Sequence, residues 1–151
     1  MKFLIQIARE ASVEVENEIT GKIDYGFLVL IGIESSDTKE IADKLIKKMI
    51  GLRIFPDENG KTNLNISQVN GELLLVSQFT PYADCRKGNR PSFINAAEPG
   101  FANDLYEYCI EKCKAEGNGM HIATGQFGAD MKVRFMNDGP FTIMLDSHEI
   151  L

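Results

Sequence analysis

The chain has 151 residues, of which 16 are lysine or arginine and 22 are aspartate or glutamate, for a net charge of −6. This length favours one domain spanning residues 1–151, and a content of 44% hydrophobic and 25% charged residues is typical of a globular protein. The acidic balance argues against a protein that binds long duplexes such as DNA through bulk charge, but it is compatible with a local basic patch.

Nothing in the sequence predicts a membrane or secreted protein. No apolar run approaches the roughly 20 residues that span a bilayer. Arg9 and Glu10 follow the start of the chain too closely for a signal peptide. We therefore expect a cytoplasmic protein without a membrane partner.

The first third of the chain predicts three strands. Apolar and polar residues alternate over 3–8 and again over 13–16, and a period of two indicates two half-buried strands. The segment 26–33 is continuously apolar and contains glycines at both ends, which is typical of a strand buried on both faces.

Two helices are predicted. The first begins at Asp37, which is followed three residues later by Glu40 as in a capping box, and its apolar residues recur at every fourth position over 41–49. The second begins near Gly100, after a loop-like segment at 81–99, and ends at Gly117.

The dipeptides Asn59-Gly60 and Asn70-Gly71 each predict a type I′ hairpin turn, and 73–76 predicts a buried strand after the second of them. The three cysteines include no C-x-x-C pair, so no disulfide framework is predicted. Cys109 and Cys113 lie one helical turn apart, but no Cys/His pair at zinc spacing completes a metal site, and we interpret them as small apolar core residues.

The last third of the chain predicts two strands, 131–137 and 141–145, joined by a turn at 138–140. The tail 147–151 carries no signal and is expected to be peripheral. Together the elements predict a single α/β domain with a mixed or mostly antiparallel sheet and two main helices.

Standard hydrolase machinery is absent from the sequence. A Ser–His–Asp triad needs a histidine base, and only His121 and His148 exist. His148 lies in the tail, and His121 lies in an apolar segment where a structural histidine is expected. There is no G-x-S-x-G elbow, P-loop or H-E-x-x-H motif, and we predict no metal and no cofactor.

Two segments point to a ligand site. Residues 77–84 form a polar and aromatic stretch at the end of a buried strand, where sheets present backbone N–H groups and hydroxyls to ligands. Residues 137–142 form a turn in which the Gly139-Pro140 bond is a candidate for the uncommon cis form.

Four segments in register, 77–84, 86–93, 124–131 and 137–142, resemble the D-aminoacyl-tRNA deacylase family, and the similarity extends over 2–146. The resemblance implies the family's α/β barrel-like fold and a homodimer. It also implies an enzyme that hydrolyses the ester linking D-amino acids, or mischarged glycine, to the terminal ribose of tRNA.

The resemblance assigns roles to two sets of residues. In the family a Ser-Gln-Phe-Thr segment lines the pocket, and a Gly-cisPro motif reaches into the pocket of the partner subunit. The carbonyl oxygens of that motif hold the substrate amino group and leave no room for an L side chain. Here the catalytic set is Ser77, Gln78, Phe79 and Thr80, and the substrate-binding set is Asn137, Gly139, Pro140 and Thr142.

The sequence departs from the family at two places. Pro81 stands where the usual motif has leucine, and we expect this proline to stiffen the loop after Thr80. Ile7 stands where many members carry an arginine that holds the Gly-cisPro motif, and Arg9 is the nearest candidate to replace it.

The aminoacyl ester of tRNA is already activated, so an enzyme needs to lower the activation barrier to its hydrolysis only modestly. Backbone N–H groups near Phe79 and Thr80 are candidates for an oxyanion hole, and the 2′-hydroxyl of the ribose can position water in place of a histidine. Thr80 as a nucleophile is the alternative, although no base neighbours it in the sequence.

Arg86, Lys87 and Arg90 place three positive charges within five residues, and we predict that they contact tRNA phosphates. Internal salt bridges or a solvated loop are the alternative for these side chains. Two other functions remain open from the sequence: a non-catalytic module that binds an RNA end through this loop, and a metal-assisted hydrolase.

Overall fold

A long antiparallel hairpin forms the centre of the fold. The computed structural model describes residues 1–151. Strands β1 (Lys2–Val15) and β2 (Glu18–Gly32) pair along almost their whole length. Glu16 and Asn17 join them with positive φ angles of 49° and 65°, as a two-residue type I′ turn requires.

The prediction of two separate strands at 3–8 and 13–16 is wrong, because β1 continues through both. The apolar residues remain at odd positions, but the face of the sheet to which they point changes at Glu10, which adopts a φ of 50°. Ile7 faces the same apolar cluster as the residues before it, whereas Ala11 faces the opposite cluster. A local irregularity thus moves the side chains to the other face without ending the strand.

Three further strands complete a five-stranded mixed sheet. β5 (Glu72–Ser77) runs parallel to β2, β6 (Ile122–Thr124) runs parallel to β5, and β7 (Lys132–Asp146) runs antiparallel to β1. The strand order is β6-β5-β2-β1-β7, so β7 lies at an edge of the sheet. The predicted mixed sheet is confirmed.

The dipeptide at 59–60 belongs to a small hairpin of β3 (Phe55–Pro56) and β4 (Thr62–Leu64). Only Gly60 has a positive φ there, at 73°, so the turn is not type I′. The prediction of a hairpin at 70–71 is wrong, because these residues lead from a 3₁₀ turn into β5, which pairs parallel with β2.

Both main helices are confirmed, as α1 (Lys39–Gly51) and α2 (Pro99–Glu116), and a single-turn helix α3 (Ser147–Ile150) follows β7. The N-cap of α1 is Thr38, whose hydroxyl accepts a hydrogen bond from the N–H of Ile41. The predicted cap Asp37 instead accepts hydrogen bonds from the Glu34 N–H and the Met1 ammonium.

No helix is long and apolar enough to cross a membrane. Cys109 and Cys113 are buried on the inner face of α2, as predicted, whereas Cys85 is exposed. Burial raises the pKa of both buried thiols, that of Cys113 to about 12.

The sheet has two apolar faces, and the helices cover only one of them. Side chains such as Phe3 and Phe27 pack against both helices in the larger core. The buried Tyr106 of α2 donates a hydrogen bond to the Leu75 carbonyl oxygen at 2.8 Å. The second face carries a smaller cluster that is flanked by partly buried side chains. These flanking residues are Val15, Leu30, Met131, Val133 and Phe135.

Candidate active site

A cavity of about 690 Å³ opens on the second face of the sheet, at the C-terminal ends of β2 and β5. Fifteen of its 21 lining residues are hydrophobic. Its polar wall consists mainly of Ser77 and Gln78, which end β5, and Gln6, which lies on β1. A mostly apolar cavity with a few polar groups on one wall is the usual form of a small-ligand site.

Two backbone N–H groups at this wall are available to a ligand. The Gln78 N–H donates to the Ile31 carbonyl oxygen at 2.9 Å and so continues the pairing of β5 with β2. The Phe79 N–H donates to no group of the chain, and the Thr80 N–H makes only a long 3.4 Å contact with the Gln78 side-chain oxygen.

The chain then turns, because the carbonyl oxygens of Phe79 and Thr80 accept hydrogen bonds from Tyr82 and Ala83 at 3.0 and 2.9 Å. The carbonyl oxygens are therefore used in the turn, whereas the Phe79 N–H has no partner in the chain and the Thr80 N–H has only its long contact with Gln78. Paired amides of this kind stabilise negative charge that develops on a bound group.

An aromatic pair fixes the outer rim of the cavity. The rings of Phe79 and Phe93 meet edge to face with their centroids 4.9 Å apart. Tyr82 anchors the turn from below, since it is buried and its hydroxyl donates to Glu34 at 3.4 Å. Burial raises the pKa of Tyr82 far above its ordinary value, so this phenol stays neutral and cannot serve as a base.

No histidine and no buried carboxylate lines the cavity. Asp130 is the only ionisable residue on the wall, and it is ion-paired with Lys132 at 2.9 Å. His121 contacts the Lys22 carbonyl oxygen at 3.0 Å, and His148 contacts Glu34, so neither histidine belongs to the cavity.

Thr80 lies beside this wall but is not part of it, and no histidine or carboxylate forms a hydrogen bond with its hydroxyl. No group of three or more His, Cys, Asp or Glu side chains could hold a metal ion.

The segment that resembles the Gly-cisPro motif is a bulge within β7. Asn137 pairs with Ala8 and Thr142 pairs with Gln6, so four residues, 138–141, lie opposite Ile7 alone. The predicted turn between two strands is therefore wrong, because β7 continues on both sides of the bulge. The Gly139-Pro140 peptide bond is cis, and both residues are exposed.

Hydrogen bonds close the base of this bulge. The Asn137 side-chain amide donates to the carbonyl oxygens of Ile7 and Phe141 at 3.1 and 3.0 Å. The Gln6 amide donates to the Thr142 hydroxyl at 3.2 Å and lies 3.4 Å from the Asn137 side-chain oxygen. Gln6 thus connects the bulge to the wall of the cavity.

Arg9 holds the outer side of the bulge. Its Nε lies 2.6 Å from a carboxylate oxygen of Asp138, the residue before Gly139, and its guanidinium lies 4.0 Å from the centroid of the Tyr25 ring. The hydrogen bond to Asp138 raises the pKa of Arg9, so Arg9 stays protonated at neutral pH. Ile7 is buried and contributes its carbonyl oxygen, so the bulge is held without an arginine at position 7.

The predicted basic residues project from a separate loop. Asp84 and Ser92 exchange two backbone hydrogen bonds of 2.7 and 3.0 Å and close the loop at its base. Arg86 forms an ion pair with Asp84 at 2.7 Å, which lowers the pKa of Asp84 to about 2. Lys87 and Arg90 are exposed and form no ion pair.

The structure therefore brings Ser77, Gln78 and Phe79 into one cavity. Gly139 and Pro140 do not line the cavity of their own chain, and the basic loop does not line it either.

Comparison with known proteins identifies the family. The family model described as D-Tyr-tRNA(Tyr) deacylase matches residues 4–146. The D-aminoacyl-tRNA deacylase of Thermosipho africanus is 50% identical over 150 residues, which cover 99% of each chain. The chain belongs to the D-aminoacyl-tRNA deacylase family. The deacylase of Haemophilus influenzae is 53% identical over 143 residues, covering 95% of this chain and 97% of that one.

Solved structures share the fold of this chain. The structure named c-Myc DNA Unwinding Element Binding Protein aligns with a TM-score of 0.91 and 37% identity over 97% of this chain and 98% of that chain. A probable eukaryotic D-amino acid tRNA deacylase aligns with a TM-score of 0.83 over 95% of this chain and 97% of its own, and at 17% identity it shows the shared fold alone.

The sequence analysis missed two residues that line the cavity of this deacylase-family chain. Gln6 was assigned only to a strand, although a polar residue within its apolar alternation is a signal that a ligand or a polar partner lies nearby. Phe93 is distant from Phe79 in the sequence, and only the fold of the loop brings the two rings together.

Proposed function

We propose that this protein hydrolyses the ester bond of D-aminoacyl-tRNA, and of tRNA mischarged with glycine, to free amino acid and tRNA. The observation that carries the proposal is the pair of N–H groups at Phe79 and Thr80 beside a mostly apolar cavity. The first has no partner in the chain, and the second has only a long contact with Gln78. Relatives that share half of the sequence are named D-aminoacyl-tRNA deacylase, which supports the same substrate class here.

In the proposed reaction a water molecule adds to the ester carbonyl, and the resulting oxyanion accepts hydrogen bonds from Phe79 and Thr80. One such donor is worth roughly 10²–10³ in rate in other hydrolases. Collapse of the tetrahedral intermediate breaks the bond to the ribose oxygen, which leaves with a proton as a hydroxyl. The neighbouring 2′-hydroxyl orients the water, so the protein supplies no base.

Gly139 and Pro140 act, in this proposal, in the cavity of a second subunit. Both are exposed on their own chain, and Arg9, Asn137 and Gln6 hold the bulge that carries them. Backbone carbonyls on such a rigid bulge bind a substrate ammonium and exclude an L side chain without contacting a D side chain. Glycine has no side chain to exclude and is therefore accepted.

We propose that the second subunit is another copy of this chain. β7 is an edge strand of 15 residues, and an unpaired edge is a surface onto which another chain can add. Met136 and Met144 of β7 are 57% and 42% exposed, although they are large apolar side chains. The helix-free face of the sheet lies next to this edge and supports the same contact.

The proposed partners are tRNA and a second copy of the chain, in the cytoplasm where tRNA is aminoacylated. We propose no cofactor, no DNA and no membrane partner. A module that only binds an RNA end, and a metal-assisted hydrolase, are tested against this proposal below.

Purified protein is expected to hydrolyse D-tyrosyl-tRNA and to leave L-tyrosyl-tRNA intact, with the same rate in the presence of a chelator such as EDTA. Release of labelled amino acid measures both reactions. Equal rates on the two stereoisomers would contradict the chiral mechanism, and binding without turnover would favour the RNA-end module. Loss of activity in chelator that zinc restores would favour the metal-assisted hydrolase.

The loop residues Arg86, Lys87 and Arg90 are proposed to contact phosphates near the reacting end of tRNA. Replacing Lys87 and Arg90, which form no ion pair, with glutamine is expected to raise KM for D-tyrosyl-tRNA several-fold and to leave kcat unchanged. Each lost phosphate contact also makes the dependence of log affinity on log salt shallower by about 0.7–0.9. An unchanged KM together with an unchanged salt slope would show that the loop does not contact tRNA.

A further inference from the structure

A second group of positive charges lies at the C-terminal end of α1. Lys44, Lys47, Lys48 and Arg53 line a shallow groove together with the backbone of Gly51 and Leu52. All four basic side chains are exposed. We call this group the α1 basic groove.

None of the four side chains of the α1 basic groove forms an ion pair. Elsewhere on the surface basic side chains do find acidic partners, such as Lys114 with Glu111 at 2.8 Å and Arg134 with Glu14 at 2.7 Å. Since the chain has more acidic than basic residues, four unpaired cations in one groove form a distinct local positive field.

Arg53 is held in place by the β3–β4 hairpin. Its Nε donates to the Asn63 carbonyl oxygen at 2.8 Å, and its guanidinium also contacts the Asn63 side-chain oxygen. The Asn63 amide in turn donates to Asp57 at 3.2 Å. Asp57 also accepts backbone hydrogen bonds from Asn59 and Lys61 at 2.9 and 3.0 Å, which lower its pKa.

An exposed arginine that is fixed in this way adds little to the hydrophobic core. It presents its remaining N–H donors in one orientation, and a guanidinium fork matches the geometry of a phosphate group. The three lysines beside it add mobile positive charges that suit a chain of phosphates.

We propose that the α1 basic groove binds backbone phosphates of the tRNA at a distance from the reacting end. This inference rests on the proposed function, because it takes the tRNA ester as the substrate. The groove is separate from the cavity, since the two share no lining residue.

The groove shares no residue with the cavity or with the basic loop. The terminal nucleotides belong to the cavity and the basic loop in this proposal, so the phosphates assigned to the groove are those of the double-helical stem.

The test compares a long and a short substrate of the same chemistry. We expect the triple variant Lys44→Gln, Lys47→Gln, Lys48→Gln to raise KM for D-tyrosyl-tRNA about tenfold at unchanged kcat. The same variant should hydrolyse a D-tyrosyl trinucleotide, which lacks the stem, within twofold of the wild-type rate. Arg53→Gln alone is expected to raise KM for the tRNA in the same way, and by a smaller factor.

A direct binding measurement keeps the test independent of catalysis. Fluorescence anisotropy with uncharged tRNA should show weaker binding for the triple variant, with a salt slope shallower by about 2–3. The matched control is Lys22→Gln, Lys112→Gln, Lys114→Gln, which makes the same change in net charge on surfaces outside the cavity and should bind tRNA like the wild type.

Equal weakening by the groove variant and the control would overturn the proposal, because bulk charge would then account for it. Unchanged tRNA binding in the groove variant would also overturn the proposal. The lysines would then only stabilise the negative C-terminal end of the α1 dipole. If the wild type hydrolyses neither substrate, the proposed function fails, whereas the anisotropy result still decides whether the groove binds tRNA.

Discussion

A substrate whose terminal ribose lacks the 2′-hydroxyl is expected to be hydrolysed at least about 10³-fold more slowly than the natural ester, whereas Thr80→Ala should lose less than about tenfold. The reason is that the only ionisable residue lining the cavity, Asp130, is exposed and ion-paired with Lys132. A positioned general base accounts for roughly 10²–10⁴ in rate in enzymes that have one. The natural substrate supplies the 2′-hydroxyl of its terminal ribose, which can orient the attacking water instead. Single-turnover hydrolysis of both esters by wild type and variant measures the two effects.

The control for the 2′-deoxy ester is its rate of hydrolysis without enzyme, because the missing hydroxyl also changes intrinsic reactivity. Rapid enzymatic cleavage of the 2′-deoxy ester, with a Thr80→Ala variant that has lost about 10⁴ or more, would instead assign covalent catalysis to the threonine. The structure argues against that outcome, since no base forms a hydrogen bond with the Thr80 hydroxyl.

Gly139→Ala is expected to lower kcat/KM for D-tyrosyl-tRNA by at least about 100-fold while the protein remains folded. Gly139 has a φ of 122°, which L residues rarely adopt, and an added Cβ would come within 3.0 Å of the Phe141 nitrogen. The bulge must therefore move, and its carbonyls lose the position that the proposed mechanism requires. Because Gly139 is exposed and outside both apolar clusters, the core stays intact.

Gly60→Ala is the matched control. Gly60 also has a positive φ, at 73°, and no atom lies within 4 Å of an added Cβ. Its left-handed backbone costs an alanine about 1–2 kcal/mol at a residue that does not line the cavity. Thermal melts should show cooperative unfolding of both variants, with the larger loss of stability in Gly139→Ala because its Cβ also meets Phe141. Light scattering should find both as dimers of the 16.8 kDa chain. Wild-type activity in Gly139→Ala would show that the position of the bulge is not required for hydrolysis.

The sequence predicted best those elements whose pattern is local. Apolar residues at every fourth position define α1 and α2. The alternation located β1 and β7, although it divided each of them into two strands. The parallel pairing of β5 with β2 was not predictable, because it joins residues more than 40 positions apart and depends on how the helices pack.

The errors arose where tertiary contacts override a local signal. Gly139 and Pro140 are typical of a turn, yet the Asn137 side chain bonds across the bulge to Phe141 and to Ile7 of the neighbouring strand, so β7 continues. The pairing of Arg9 with Asp138 joins residues 129 positions apart. Such contacts join residues that are distant in the chain and leave no local pattern in a single sequence, although they determine how the candidate site is held.

The distribution of the three cysteines has a practical consequence for experiments on this protein. Cys109 and Cys113 are buried and their thiols stay protonated, so they resist alkylation while the protein is folded. Cys85 alone is exposed, and it adjoins Arg86 in the basic loop. A maleimide dye therefore labels the unmodified chain at one position, and its emission reports directly on whatever approaches that loop.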